Sequence, residues 1–251
     1  MKKDALTAIF FCALVLFLVA PSAALVLDFE NPEQLNQLEV LRETDGRWKS
    51  MNNVDDPFQL EIVDGALRFT SGGMWNLIAI KDLQFTHGTI YYKMKWLEGG
   101  WCQIGAFYRL QETPHLPHYQ VTLSAELQPD RKPEGLKWLD CEVVMWNGLS
   151  SRQSTTKPIQ GWDREPVNQW FEVKIEVKSG EHIVFAGPED QLEKVVEIKV
   201  ETQGKGRVGL LTYSPTREVV LIDDFEIIQS AFAVEMHKTL ANTWGQIKAS
   251  Q

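Results

Sequence analysis

Trp101-Cys102-Gln103-Ile104-Gly105-Ala106-Phe107-Tyr108-Arg109-Leu110 and His118-Tyr119-Gln120-Val121-Thr122-Leu123-Ser124-Ala125-Glu126-Leu127 each alternate between two kinds of side chain without a break. In the first segment Cys102, Ile104, Ala106 and Tyr108 share one parity, and Trp101, Gln103, Phe107 and Arg109 the other. In the second, Tyr119, Val121, Leu123, Ala125 and Leu127 oppose His118, Gln120, Thr122, Ser124 and Glu126. A period of two over this length specifies β-strand with one dry and one wet face. Residues 89–96 on one side alternate likewise. So do residues 137–147 on the other, where Leu139, Cys141, Val143 and Met145 oppose Trp138, Asp140, Glu142, Val144 and Trp146. Glu98-Gly99-Gly100, the loop with Pro114 and Pro117, and residues 129–135 carry turn chemistry, so the simplest topology for the four segments is an antiparallel meander.

The rest of the chain reads in the same way. Residues 58–63 and 66–70 flank Asp64-Gly65, a strong hairpin signal. Residues 25–29, 38–41, 47–49, 76–80, 170–178, 181–185, 195–200, 207–213 and 218–228 supply further strands, with a helical turn expected at 32–37. Residues 149–168 are polar, with Pro158, Gly161 and Pro166, and read as a long loop of the kind that often serves function. Trp162 within it is either an anchor to the domain edge or one wall of a groove. More than a dozen short strands with such turns specify an all-β fold, a two-sheet antiparallel sandwich.

A solvated sheet face is ordinarily Lys, Glu, Thr and Ser. Here the wet parity interleaves Trp101, Trp138 and Trp146 with Gln103, Arg109, His118, Gln120, Asp140 and Glu142. Flat aromatic rings ringed by planar hydrogen-bonding groups suit a sugar, whose axial hydrogens stack on the ring while its hydroxyls take the polar groups. These nine residues are the expected ligand-binding set. Asp140 and Glu142, about 6.5–7 Å apart at their Cα atoms as i and i+2 on a strand, also have the spacing of a carboxylate pair for glycosidic chemistry. Arg109 and His118 are candidates for the electrophilic and proton-transfer roles beside them. The same four residues read equally as hydrogen-bonding groups for a sugar or as solvated charges, and Trp and Arg are also common in protein interfaces. Among glycan recognition, glycoside processing and a purely structural role, the first explains the tryptophans best.

Lys2-Lys3 before an apolar run over residues 5–20, closed by Pro21-Ser22-Ala23-Ala24, reads as a secretory signal peptide over residues 1–24. The expected location is therefore secreted, periplasmic or cell-surface, and nothing later in the sequence is long and apolar enough to span a membrane. The formal net charge of −9 argues against nucleic acid as a partner. No Gly-rich phosphate loop, His-Glu-x-x-His or serine nucleophile elbow is present. Cys102 and Cys141 both fall on the dry parity with one strand between them, which sets their Cα atoms about 9–10 Å apart. A disulfide reaches only about 7 Å, so two buried thiols are favoured.

The order of these features resembles the concanavalin A-like (LamG-like) jelly roll, and within it the 3-keto-disaccharide hydrolase domain of secreted bacterial proteins. Asp64-Gly65-Ala66-Leu67, residues 104–109, Tyr119-Gln120-Val121, Asn168-Gln169-Trp170-Phe171-Glu172-Val173 and Gly206-Arg207-Val208-Gly209-Leu210 carry the resemblance, which extends over residues 25–229. Gly100-Trp101-Cys102 stands where that family has Asn-Ser-Gly, and Asp223-Asp224 where it has Arg-Asn. The resemblance implies a jelly-roll domain and, as an activity, hydrolysis or elimination at a keto-disaccharide. The Glu-x-Asp-x-x-Glu strand of the family 16 glycoside hydrolases is absent.

Two expectations concern the ends of the domain. Pairing of the first and last strands brings Asp28 and Glu30 toward Asp223 and Asp224, a candidate structural Ca2+ site of clustered oxygen ligands, with salt bridges as the alternative. In the tail, residues 230–251, Phe232, Met236, Leu240 and Trp244 recur every four residues, which predicts a short C-terminal helix. Such a helix serves either as an attachment or protein-partner element or as a piece folded back on the domain.

Overall fold

Alternation is realised as fifteen strands among the described residues of the computed structural model, which are 24–41, 58–71, 75–99, 101–113, 117–126, 139–147, 150–158, 167–200, 204–214 and 217–230. In chain order they are β1 (Ala24–Leu27), β2 (Leu38–Leu41), β3 (Gln59–Val63), β4 (Ala66–Ser71), β5 (Trp75–Phe85), β6 (Gly88–Glu98), β7 (Trp101–Leu110) and β8 (His118–Glu126). There follow β9 (Leu139–Asn147), β10 (Ser150–Pro158), β11 (Phe171–Lys178), β12 (Glu181–Pro188), β13 (Glu193–Lys199), β14 (Gly206–Tyr213) and β15 (Glu218–Gln229). A 3-10 turn, Pro32–Gln37, joins β1 to β2, with the Asn31 side chain accepting from the Glu33 amide at its start. No helix among the described residues is long and apolar enough to cross a membrane.

Two antiparallel sheets form. One is eight-stranded, ordered β13-β12-β11-β6-β15-β4-β3 with β1 also on β15, and the other seven-stranded, ordered β10-β9-β8-β7-β14-β5-β2. The dry parities of the two meet as one core. Ile104, Ala106, Tyr108, Tyr119, Val121, Leu123, Cys141, Val143 and Met145 of the seven-stranded sheet pack with Ile90, Tyr92, Met94, Trp96, Phe171, Val173 and Ile175 of the other. Trp96 and Phe171 meet edge to face at 5.5 Å, a geometry that favours the positive ring edge on the negative face. At Asp64-Gly65 both residues have positive φ, 51° and 74°, the backbone of a type I′ turn whose twist matches the flanking strands β3 and β4. First and last strands pair as expected, Ala24 opposite Ile228 through Leu27 opposite Phe225.

Two expectations are corrected. Only β7, β8 and β9 of the four alternating segments form the meander; β6 lies in the eight-stranded sheet between β11 and β15. The wet parity of β6 suits this place: Tyr91 donates to Glu172 of β11 at 2.7 Å, Lys93 pairs with Glu189 and with Asp224 of β15, and Lys95 lies over the Trp170 ring. Gly99 therefore turns the chain from one sheet to the other instead of closing a hairpin. Residues 150–158, expected within a loop, form β10, paired along β9 from Ser150 opposite Asn147 to Pro158 opposite Asp140. An edge strand needs no apolar alternation, because its backbone is satisfied by one neighbour, and Thr155 and Thr156 favour extended backbone. Cys141 is buried, with β8 lying between its strand and that of Cys102. Residues 47–49, Trp138, Trp162 and the tail at 231–251 lie outside the described residues.

Candidate functional site

The outer face of the seven-stranded sheet is built by register. Phe107 on β7 stands opposite Gln120 on β8, which stands opposite Val144 on β9; one row on, Gly105, Thr122 and Glu142 align, and beyond them Gln103, Ser124 and Asp140. His118 opens the polar side at the next position, in register with Trp146, and its ring meets Phe107 edge to face at 6.3 Å. On the other side of β7, Gly209 and Leu211 of β14 continue the same rows to Ala79 and Leu77 of β5. The face is thus divided. Leu77, Ala79, Phe107 and Leu211 form a small apolar cluster of their own, joined by Leu41, while β8 and β9 carry hydroxyl, amide, imidazole and carboxylate groups.

Two glycines keep the middle bare. A Cβ on Gly105 would collide with the Val121 carbonyl oxygen, and one on Gly209 with that of Ile78. Across the β7–β14 ladder Gly105 faces Leu211 and Gly209 faces Phe107, so bare backbone separates Leu211 from Thr122 in one row and Ala79 from Phe107 in the next. On the polar half Gln103, His118, Gln120, Thr122 and Ser124 are all buried, and Glu142 is partly so. Gln120 Nε2 and Thr122 Oγ1 have no hydrogen-bond partner. A buried amide nitrogen and a buried hydroxyl left unsatisfied each cost about 1–3 kcal/mol, which a ligand's own polar groups can recover.

Of the residues expected here from sequence, Gln103, His118, Gln120 and Glu142 lie on this face. Trp101, Asp140 and Trp146 occupy strand positions in register with Glu126, Ser124 and His118. Arg109 does not belong to the face. Tyr108 and Arg109 together oppose the single Val208, a β-bulge, and Arg109 takes up a left-handed φ of 55°. The extra residue breaks the period of two, and the Arg109 side chain turns to the inner side of the sheet. There its Nε donates to the Thr86 carbonyl at 2.8 Å and its Nη2 to the Lys178 carbonyl at 3.4 Å. The Gln111 amide clamps the bulge, donating to the carbonyls of Arg109 (3.1 Å) and Lys205 (2.8 Å). With Arg109 withdrawn, the proposed set Asp140, Glu142, Arg109 and His118 is not a single constellation. The apolar half and the two glycines went unrecognised in the sequence, although the small residues at Gly105 and Gly209, on otherwise bulky strands, were the available signal.

The acids expected to hold Ca2+ serve separate partners. Asp28 Oδ1 accepts from Gln34 Nε2 at 2.9 Å, the Glu30 carboxylate lies against Gly65, Asp224 pairs with Lys93 at 3.2 Å, and Asp223 accepts from the Asp224 amide at 2.7 Å. Among the described residues no three His, Cys, Asp or Glu side chains come together as a metal site would require.

No family model matches the chain, and no curated protein matches it in sequence. Solved structures do match in three dimensions. The exoplasmic/lumenal domain of VIP36, in a form bound to Ca2+ and Man3GlcNAc, aligns with a TM-score of 0.57 at 10% identity, over 88% of this chain and 94% of its own. The catalytic domain of an endo-1,3-beta-glucanase (laminarinase) from Thermotoga petrophila aligns at 0.55 and 11% identity, over 85% and 100%. A variant of LamA from Z. galactanivorans, in complex with laminaritriose and laminaritetraose, aligns at 0.54 and 14%, over 83% and 98%. At such identities the likeness is one of fold: the chain is a concanavalin A-like jelly-roll sandwich.

Proposed function

We propose that this is an exported carbohydrate-recognition domain that binds a saccharide on the outer face of its seven-stranded sheet. The observation that carries the reading is the pair Gln120 Nε2 and Thr122 Oγ1, buried on neighbouring rows without partners, on a face whose other half is apolar. A pyranose presents both complements, a hydrophobic ring face for Phe107 and its aliphatic neighbours and hydroxyls for the amide, hydroxyl and carboxylate side. Three structurally similar proteins act on or hold saccharides, which agrees with this reading. Glycan-array binding followed by titration tests it. Gln120→Ala and Thr122→Val each weaken binding about tenfold, the value of one hydrogen bond of about 1.4 kcal/mol. Unchanged affinity in both variants, with the fold intact, removes the face from consideration.

A second reading, glycoside processing of the keto-disaccharide kind, rests on Asp140 and Glu142 two positions apart on β9. Release of new sugar ends from a bound glycan, abolished by Glu142→Gln, distinguishes it from binding alone.

A further inference from the structure

Among the described residues, no carboxylate pairs with the cation at the inner end of β7. Arg109 is completely buried, and its Nη1 has no hydrogen-bond partner. Nε and Nη2 are committed to the Thr86 and Lys178 carbonyls. Two imidazoles have Nε2 atoms that are also buried and unpartnered: His87, next in the chain to the Thr86 carbonyl that Arg109 bonds, and His182 of β12, bonded to Tyr108, the residue before Arg109. The Arg109 charge adds to burial in holding both imidazoles below their ordinary value, His182 at about 3, so the three groups share one electrostatic neighbourhood. Groups that weigh on the Arg109 guanidinium, apart from burial, are the phenols of Tyr108 and Tyr119, not carboxylates. A lone buried guanidinium is among the more costly arrangements in a protein interior.

The donor chemistry is defined. Tyr108 Oη and His182 Nδ1 share a hydrogen bond of 2.9 Å. With the phenol donating, His182 carries its proton on Nε2, the atom without a partner. Arg109 Nη1 thus offers two N–H groups and His182 Nε2 one, and His87 Nε2 adds another in the tautomer that protonates it. A carboxylate prefers the paired fork of a guanidinium, but two of the Arg109 nitrogens here already face carbonyls. Donors on three separate side chains suit an acceptor with several oxygens on one centre.

We propose that Arg109, His87 and His182 form a binding site for a tetrahedral oxyanion, sulfate or phosphate, between the sheets at the β5–β6 end of the sandwich. The site is distinct from the saccharide face, which lies on the other side of the seven-stranded sheet, and does not depend on it. His87, partly exposed in its turn, marks the way in.

The test titrates sodium sulfate, sodium phosphate and a heparin-type sulfated oligosaccharide against the full-length chain at pH 7, at ionic strength fixed with sodium chloride. Thermal unfolding and the histidine side-chain NMR signals are followed together. Bound oxyanion raises the midpoint in proportion to the logarithm of its concentration above Kd, and raises the imidazole pKa of His87 and His182. Response to the free ions but not the oligosaccharide assigns an internal ion site; response to the oligosaccharide as well assigns recognition of a sulfated chain. His87→Ala, a turn substitution that leaves the core intact, weakens the response at least tenfold. Arg109→Gln abolishes it, and where that variant fails to fold the histidine signals of the wild type still decide. No movement of either histidine signal up to about 50 mM sulfate and phosphate (about fifty times a millimolar Kd), or an equal thermal response in His87→Ala, overturns the proposal.

Discussion

Glu218→Gln should make the protein more stable in neutral and mildly alkaline solution, and the gain should grow with pH. Glu218 opens β15 on the same parity as Val220 and Ile222, so its side chain points between the sheets, fully buried, with neither carboxyl oxygen hydrogen-bonded. Burial lifts the carboxyl from 4.5 to about 8; the nearby Thr212 hydroxyl is the one group pulling the other way, close enough to weigh on ionisation yet short of hydrogen-bond geometry. In the unfolded chain the same group ionises near its ordinary value. Between those two pH values the folded state therefore holds a proton that the unfolded state has lost. Stability falls with rising pH over that window by about 1.4 kcal/mol per pH unit, or about 3 kcal/mol from pH 5 to pH 7. Above about 8 both states are ionised and the contribution is level. His182 acts in the opposite sense. Its pKa falls from 6.5 to about 3, so the unfolded chain takes up a proton below 6.5 and stability drops as the solution is acidified. The two slopes offset each other between pH 4.5 and 6.5, and the wild-type loss appears from pH 6.5 to 8. Subtracting wild type from variant cancels the histidine and isolates Glu218. Urea unfolding followed by tryptophan fluorescence at pH 5, 6, 7 and 8 should give a difference near zero at pH 5 and about 3–5 kcal/mol at pH 8. Parallel curves at all four pH values would mean that Glu218 does not hold its proton in the fold.

Other substitutions test individual elements by chemical denaturation. Gly105→Ala drives a Cβ into the Val121 carbonyl and should cost about 3 kcal/mol, with lost glycan binding in whatever remains folded. A cost below about 1 kcal/mol would show that β7 and β8 can move apart. Gly65→Ala forces a side chain into φ 74° at the β3–β4 turn and should cost about 1–2 kcal/mol without affecting binding. Tyr108→Phe strands His182 Nδ1 in the core and should cost about 1–2 kcal/mol, accompanied by a shift of the His182 NMR signals. An unmoved His182 signal would argue against the bond.

Strand positions were readable from the sequence because the sandwich imposes a period of two on every element that has a dry face, and the β3–β4 turn was readable because Asp-Gly is one of the few pairs that accept two positive φ values. What sequence alone missed has a common cause. Alternation says which residues share a face and nothing about which strands share a sheet, so β6 was assigned to its sequence neighbours although its partners are β11 and β15. An edge strand such as β10 has no dry-face requirement strong enough to pattern it. A bulge inserts one residue and inverts parity locally, and Arg109 was placed on the wrong face for that reason. In the site itself, polar residues were conspicuous against the expected background of a strand, whereas Leu77, Ala79 and Leu211 looked like part of the main core until pairing put them on the opposite sheet face, in a second buried cluster.

The withdrawal of Arg109 changes what the outer face can select. An isolated guanidinium among Gln103, Gln120 and Glu142 would have neutralised the acid and welcomed a negatively charged sugar. With that cation instead buried between the sheets, Glu142 remains on the face, and Asp140 stands in register with Ser124. A uronate or sulfated ring brought to this side would find no guanidinium from Arg109 to offset the cost of burying its charge. A neutral pyranose meets no such barrier, and its hydroxyls can donate to the carboxylate and accept from Gln120. Under the two proposals the regions would divide their ligands by charge, neutral sugar on the outer face and oxyanion at the Arg109 end, with a single arginine displaced by a one-residue bulge setting the division.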